Sequence, residues 1–159
     1  MKTKYNQLFL IGLIMTGIQG IAFTQDIAQE RKDTITKEII ENFEKSLGFG
    51  EQLDIAGISG NIDDSYNAGF IDNGVYYLSF DDLMVDFKRG ISGLQYQRFS
   101  VDTKNVTVLS ETKALLTANG SYSAKLVDGQ TLTGRFAWTF VYSLIDDNWK
   151  VIHSHMSNP

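Results

Sequence analysis

The chain has 159 residues, 19 acidic and 14 basic side chains, a formal net charge of −5 and no cysteine. This length favours one domain with its own hydrophobic core, and the lack of cysteine excludes disulfides and a cysteine-linked lipid anchor. An acidic chain without a run of basic residues is a poor match for a nucleic acid, so we expect no nucleic-acid partner.

The first 24 residues have the pattern of a secretory signal peptide. Lys2 and Lys4 precede an apolar run over residues 8–18, which is shorter than the roughly 20 residues that span a bilayer. We therefore expect cleavage, with no membrane span afterwards, and a mature domain over residues 25–159. An uncleaved membrane anchor is the alternative. The expected location is secreted or periplasmic, as for bacterial export.

An amphipathic helix is predicted over residues 26–48. Ile35, Ile39, Phe43 and Leu47 recur every four residues among polar and charged neighbours, which places them on one face. Such a helix is expected to cover a sheet, although a partner-binding helix has the same pattern.

Shorter elements are predicted in the next part of the chain. Isoleucines between residues 48 and 69 favour a short helix, and the Asn73-Gly74 pair favours a hairpin turn. A second well-defined helix is expected to start after Ser79, because serine caps helices and Asp81 in the first turn complements the helix dipole. Gly90 is expected to end it.

From Leu94 onward the residues alternate in the manner of β-strands. The predicted segments are 94–101, 106–110, 113–126 and a final hairpin over 131–157. The order of helices first and a long sheet afterwards predicts an α+β fold, in which a strongly curved antiparallel sheet curls around the N-terminal helices.

The last hairpin resembles the end of SnoaL-like domains of the nuclear transport factor 2-like superfamily. It is also similar to the association domain of calcium/calmodulin-dependent kinase II, which ends in a comparable strand, a turn, a Trp-containing strand and a His-x-His pair. The matching positions in this sequence are Thr139, Val141, Asp146, Trp149, His153, His155, Ser157 and Pro159.

This resemblance implies a cone-shaped α+β barrel, NTF2-like or cystatin-like, with a ligand cavity between the helices and the sheet. It also implies a homodimer that forms through the sheet. Members include isomerases, cyclases, dehydratases, carriers and assembly domains, so fold alone leaves function open. Two arginines of the association domain are replaced here by Phe140 and Met156. A small, largely apolar molecule is therefore the expected partner, and the alternative is that the cavity holds no ligand.

The expected cavity residues follow from that resemblance and from the alternation along the last two strands. Phe140 and Met156 at the cavity imply that their same-face neighbours line it too, and tyrosines on earlier strands are expected to add hydroxyl groups. The predicted set is Tyr76, Tyr96, Trp138, Phe140, Tyr142, Ser154 and Met156.

His153 and His155 share one face of the last strand, where the residue type is compatible with catalysis or zinc binding, although a structural or subunit-interface role is the favoured interpretation. A third zinc ligand is not evident, so no metal site is expected. Strict alternation places both histidines, together with Trp149 and Val151, on the face away from the cavity. A β-bulge would reverse this assignment.

Asp72 with Tyr76 is the one local pair that matches an isomerase of the ketosteroid type, which needs a carboxylate base and a hydroxyl donor. The alternative is that Asp72 only precedes a turn. A glycine-rich phosphate loop is absent, and no cofactor is expected. Three hypotheses remain: a binding protein for a small apolar molecule, an isomerase, cyclase or dehydratase, and an assembly module with a vestigial cavity.

Overall fold

The computed structural model describes residues 27–158, so the signal peptide predicted for residues 1–24 lies outside the described residues. Its helices are α1 (Gln29–Glu51), α2 (Ile55–Ser59) and α3 (Phe80–Ser92). Its strands are β1 (Phe70–Asp72), β2 (Val75–Tyr77), β3 (Leu94–Ser110), β4 (Lys113–Leu126), β5 (Thr131–Ile145) and β6 (Asn148–Ser157). Within this range, no helix is both long enough and apolar enough to cross a membrane.

The six strands form one open sheet in the order β2-β1-β6-β5-β4-β3. All neighbouring pairs are antiparallel except β1 and β6, which run parallel. The predicted α+β class, with helices packed on a curved sheet, is confirmed. The barrel is not closed, because β2 and β3 at the two edges do not pair with each other.

Strand β3 is longer than the sequence pattern suggests. A break was expected between Val101 and Val106, but pairing with β4 continues through it. The register shifts between Val101 and Thr103, where Asp102 is the extra residue. Such a bulge bends a strand without ending it, so the prediction of two separate strands is wrong.

Helix α1 covers the concave face of the sheet. Its residues Ile35, Ile39 and Phe43 are at most 1% exposed and belong to the same core cluster as Leu116 of β4. The indole Nε1 of Trp149 on β6 donates a hydrogen bond of 2.8 Å to Glu38, which also ties the helix to the sheet. The helix ends three residues beyond the predicted limit of residue 48.

Helix α3 starts as its sequence predicts. The Ser79 hydroxyl accepts a hydrogen bond of 3.1 Å from the backbone N–H of Asp82, which satisfies a donor in the first turn. Its buried residues are Leu83 and Met84, and it contacts β1 and β2. The short helix predicted between residues 48 and 69 is α2, which Asp54 caps by accepting from the N–H of Gly57.

Candidate functional site

A cavity of about 380 Å³ lies between the helices and the concave face of the sheet. This volume is within the range of small-molecule sites in proteins. All three helices contribute to its wall, and so do strands from β1 across to β3. The open sheet and the helices therefore enclose a space that side chains leave unfilled.

Aromatic rings form the sheet side of the cavity. Trp138, Phe140 and Tyr142 are alternate residues of β5, and each lines the cavity. The rings of Trp138 and Phe140 are nearly perpendicular, and their centroids are 6.2 Å apart. The ring centroid of Phe99 on β3 lies 5.3 Å from that of Trp138. This is edge-to-face packing, the arrangement that aromatic quadrupoles favour. We call these four rings the aromatic wall.

The helix side is also mainly apolar, with aliphatic and aromatic side chains. Leu83, Met84 and Phe87 of α3 line the cavity opposite the sheet, and Phe43 of α1 reaches across to the aromatic wall. The ring centroids of Phe43 and Phe140 are 5.9 Å apart. An occupant would therefore meet apolar surface on both sides.

Several polar side chains also line the cavity, and most of them bond to neighbouring residues. The indole N–H of Trp138 donates to the side-chain oxygen of Asn158 at 3.1 Å, and the amide of Gln97 donates to the carbonyl of Gly50 at 2.7 Å. Burial raises the pKa of the Tyr142 hydroxyl, so this group stays protonated at any physiological pH. Ser154 on β6 is 3% exposed and adds a hydroxyl.

Among the described residues that line the cavity, only Asp72 has a charged side chain. Burial raises the pKa of its carboxyl group above the ordinary value. Within residues 27–158 no ion pair or hydrogen bond of this carboxylate is found, which agrees with burial being the cause. Asp72 ends β1, where it pairs with Met156 of the parallel strand β6.

The structure brings five of the seven predicted cavity residues together. They are Trp138, Phe140, Tyr142, Ser154 and Met156, on adjacent strands β5 and β6. Their place at the cavity follows from the alternation of the two strands. Their role in binding a ligand stays a prediction.

Tyr76 and Tyr96 do not line the cavity, so their placement there is a correction. On β1 the cavity residues are Phe70 and Asp72, and Tyr76 is the partner of Ile71, which faces the other way. On β3 the cavity residues are Gln97 and Phe99, so Tyr96 has the opposite parity. Tyr76 is 57% exposed and Tyr96 is 43% exposed.

A β-bulge in β6 sets the positions of the histidines. Val141 of β5 pairs with His153, while the next residue pairs with Val151, so Ile152 is the extra residue. The bulge turns Val151 and Trp149 inward, against the expectation from strict alternation. His153 and His155 stay outside the cavity lining.

The histidines have ordinary surroundings. His153 Nδ1 lies 2.8 Å from the backbone carbonyl of Gly69, and His155 is exposed. In the described part of the chain, no group of three or more His, Cys, Asp or Glu residues is placed to hold a metal ion.

Comparison with solved structures finds the same fold in several proteins, some of them named as NTF2-like. An NTF2-like superfamily protein from Salmonella enterica has a TM-score of 0.72 at 19% identity, over 80% of this chain and 93% of that one. A putative calcium/calmodulin-dependent protein kinase II association domain from Xanthomonas campestris has a TM-score of 0.67 at 14% identity, over 77% and 86%. A putative scytalone dehydratase from Novosphingobium aromaticivorans has a TM-score of 0.74 at 8% identity, over 83% and 89%.

Residues 60–159 match the family model of the SnoaL-like domain, which is more than half of the chain. The chain therefore belongs to the SnoaL-like domain family, and the resemblance seen in its last hairpin is confirmed. Comparison with curated proteins finds no similar sequence. At these identities the solved structures establish the fold and leave the activity open.

Proposed function

We propose that this protein binds a small, largely apolar molecule in the cavity between its helices and its sheet. The observation that carries the proposal is the unfilled volume of about 380 Å³, with an aromatic wall on one side and apolar helix side chains on the other. A mostly apolar cavity with a few convergent polar groups is the usual form of a small-molecule site. A vestigial cavity would instead be filled by side chains.

Isothermal titration with naphthylethanol, a small neutral aromatic alcohol, tests this proposal. Two variants narrow the cavity, Ser154→Phe and Met156→Trp, and each adds a ring to a residue that lines it. Leu109→Phe is the matched control, because Leu109 is 57% exposed and lies outside the cavity. We expect saturable binding to the unaltered protein and the control, and binding at least about ten-fold weaker in both narrowed variants. Equal binding in all four proteins would contradict the proposal.

A second function, proton transfer by an isomerase, cyclase or dehydratase, is favoured by Asp72. A carboxylate whose pKa is raised inside an apolar cavity has the properties of a general base. The relative named as a putative dehydratase is consistent with such chemistry. If Asp72 is the base, Asp72→Asn should slow turnover of a β,γ-unsaturated ketone by about 10²–10⁴-fold. A rate equal in both proteins, or no rate, would leave binding as the function.

We also propose that the protein acts as a homodimer that forms through the outer face of its sheet. A depression there is lined by Ala137, Thr139 and His155, and one structural relative is named a putative association domain. Native mass spectrometry should report twice the chain mass. Ala137→Arg should shift it to one chain mass, whereas Val85→Arg on the exposed side of α3 should not. A monomer in the unaltered protein would contradict this.

Export is proposed on the pattern of residues 1–24, a positive start followed by a short apolar run. The protein would then be secreted or periplasmic. Expression of the full chain in an exporting host, followed by N-terminal sequencing, tests this. We expect a new N-terminus close to residue 25 in the exported fraction. If the protein is found only in the cytoplasm and still carries residues 1–24, the proposal of export is contradicted.

A further inference from the structure

The described lining of the cavity has a negative charge and no positive charge. Asp72 is the charged residue among the described residues that line it, and no Lys, Arg or His is among them. On α3 the cation Arg89 already forms an ion pair of 2.7 Å with Asp86, which also accepts from the hydroxyl of Tyr77. The described residues thus supply no counter-charge for Asp72.

A carboxylate that is partly removed from water and has no partner is costly for the free protein. An occupant that brings a positive charge would remove this cost, because an ammonium forms short, charge-assisted hydrogen bonds with a carboxylate. An anionic occupant would add repulsion in the same place. Asp72 therefore favours cationic ligands over neutral and anionic ones.

The aromatic wall acts in the same direction. Aromatic faces attract cations through their quadrupoles, and Trp is the strongest of the three aromatic residues in this respect. Trp138 and Phe140 both line the cavity. The wall can also cover the apolar body of the ligand.

Strand pairing defines the distance between the two features. Asp72 pairs with Met156, and Met156 pairs with Trp138 on the next strand, so the three residues form one row across β1, β6 and β5. Neighbouring strands are about 4.8 Å apart, so Asp72 and Trp138 are separated by about 10 Å along the sheet. A ring on the wall and a nitrogen at Asp72 need only a short linker between them.

We infer that the natural ligand is an amphipathic amine: an apolar, ring-containing body that packs on the aromatic wall, with a protonated nitrogen held by Asp72. This inference rests on the proposed binding function and specifies the chemical class of the ligand. It assigns Asp72 a role as counter-ion, which differs from the general-base role.

Isothermal titration near neutral pH with three probes of one shape tests the inference: naphthylethylamine, naphthylethanol and naphthylacetate. We expect the amine to bind at least about ten-fold more tightly than the alcohol, as a hydrogen bond to a charged group allows, and the acid to bind most weakly. Asp72→Asn should remove most of the preference for the amine, leaving only the share that the aromatic wall contributes, while the alcohol still binds. Asp147→Asn, which removes an exposed charge from a turn, should leave the order unchanged.

The comparison of probes in the unaltered protein needs no variant, so it holds even if Asp72→Asn fails to fold. If the alcohol binds as tightly as the amine, the inference is overturned while the binding function stands. If none of the three probes binds, both are overturned. A preference for the amine that is undiminished in Asp72→Asn would also overturn the role of Asp72.

Discussion

Asp72 and Met156 lie opposite each other on the parallel strands β1 and β6, and both line the cavity. They are far apart in the sequence, and the parallel pairing brings them together. The backbone N–H of Asn73 extends the contact by donating to the carbonyl of Met156 at 2.9 Å. This pairing places the carboxylate at one side of a largely apolar cavity, and several properties of the protein follow from it.

Asp72→Asn is expected to stabilise the protein at neutral pH. Burial raises the pKa of Asp72 in the folded state, so the folded state holds this proton more tightly than the unfolded state. The stabilisation from protonated Asp72 is therefore fully present below the ordinary carboxyl pKa of about 3.9. It is lost as the pH rises through the higher pKa of the folded state. Urea unfolding at pH 7 should show the variant as the more stable protein.

The difference between the two proteins should shrink as the pH falls and vanish below about 3.9, where Asp72 is neutral in both the folded and the unfolded state. Asp147→Asn is the control, since this aspartate lies exposed in the turn before β6. A gain from Asp72→Asn that stays constant at all pH values would mean that its charge is not the cause.

Two glycine substitutions should have opposite effects. A Cβ at Gly120 of β4 would meet the backbone carbonyl of Ser100 and the ring of Phe136, so Gly120→Ala is expected to lower the free energy of unfolding by about 1–3 kcal/mol. A Cβ at Gly90 of α3 would meet nothing within 4 Å. Gly90→Ala is therefore expected to raise stability by about 0.5–1 kcal/mol through helix propensity. Chemical denaturation measures both, and equal effects would contradict the packing around β4.

The core under α1 can be tested with two leucines. Leu116 of β4 is fully buried, whereas Leu109 of β3 is 57% exposed. Leu116→Ala should lower the free energy of unfolding by about 2–5 kcal/mol because it leaves a cavity. Leu109→Ala should change it by about 0.5 kcal/mol or less. If urea unfolding gives similar losses for both, the placement of α1 on this strand is wrong.

Tyr66 should ionise at lower pH than an ordinary tyrosine. Its hydroxyl accepts a hydrogen bond of 2.7 Å from the ammonium of Lys113, and this bond, followed by one with Ser143, lowers the pKa of Tyr66. Lys113→Met should return the pKa toward about 10. The chemical shift of the ring carbon that bears the hydroxyl reports this by NMR. Lys88→Met on α3 is the control and should have no effect on Tyr66.

Much of the fold was predictable from local patterns. Alternation along residues 131–157 predicted β5 and β6, because one-sided burial leaves a period of two. Together with the resemblance, which implies that Phe140 and Met156 lie at the cavity, it also predicted the face of Trp138. The cap at Ser79 predicted where α3 starts, since its signal lies within four residues. These features depend on neighbours in the sequence.

The rest depends on long-range pairing. The bulge at Ile152 turns Trp149 and Val151 inward, and no residue type in that stretch predicts a bulge. A similar shift at the start of β3, between Leu94 and Tyr96, accompanies the outward position of Tyr96. Strand β1 has three residues, too few for alternation to show which face meets the cavity. Gln97, Tyr122 and Asn158 were missed as lining residues, although the parity of Phe99 would have indicated Gln97.

The methyl groups of Met84 and Met156 offer the most direct test of binding in the cavity. The chain has four methionines, two of them within the predicted leader, and the other two line the cavity from α3 and from β6. NMR of methyl-labelled methionine, assigned with Met84→Leu and Met156→Leu, follows both walls during titration with naphthylethylamine. We expect both signals to shift saturably with one affinity and to show transfer of magnetisation to the probe. Saturable binding that leaves both methyl signals unchanged would contradict the cavity as the binding site.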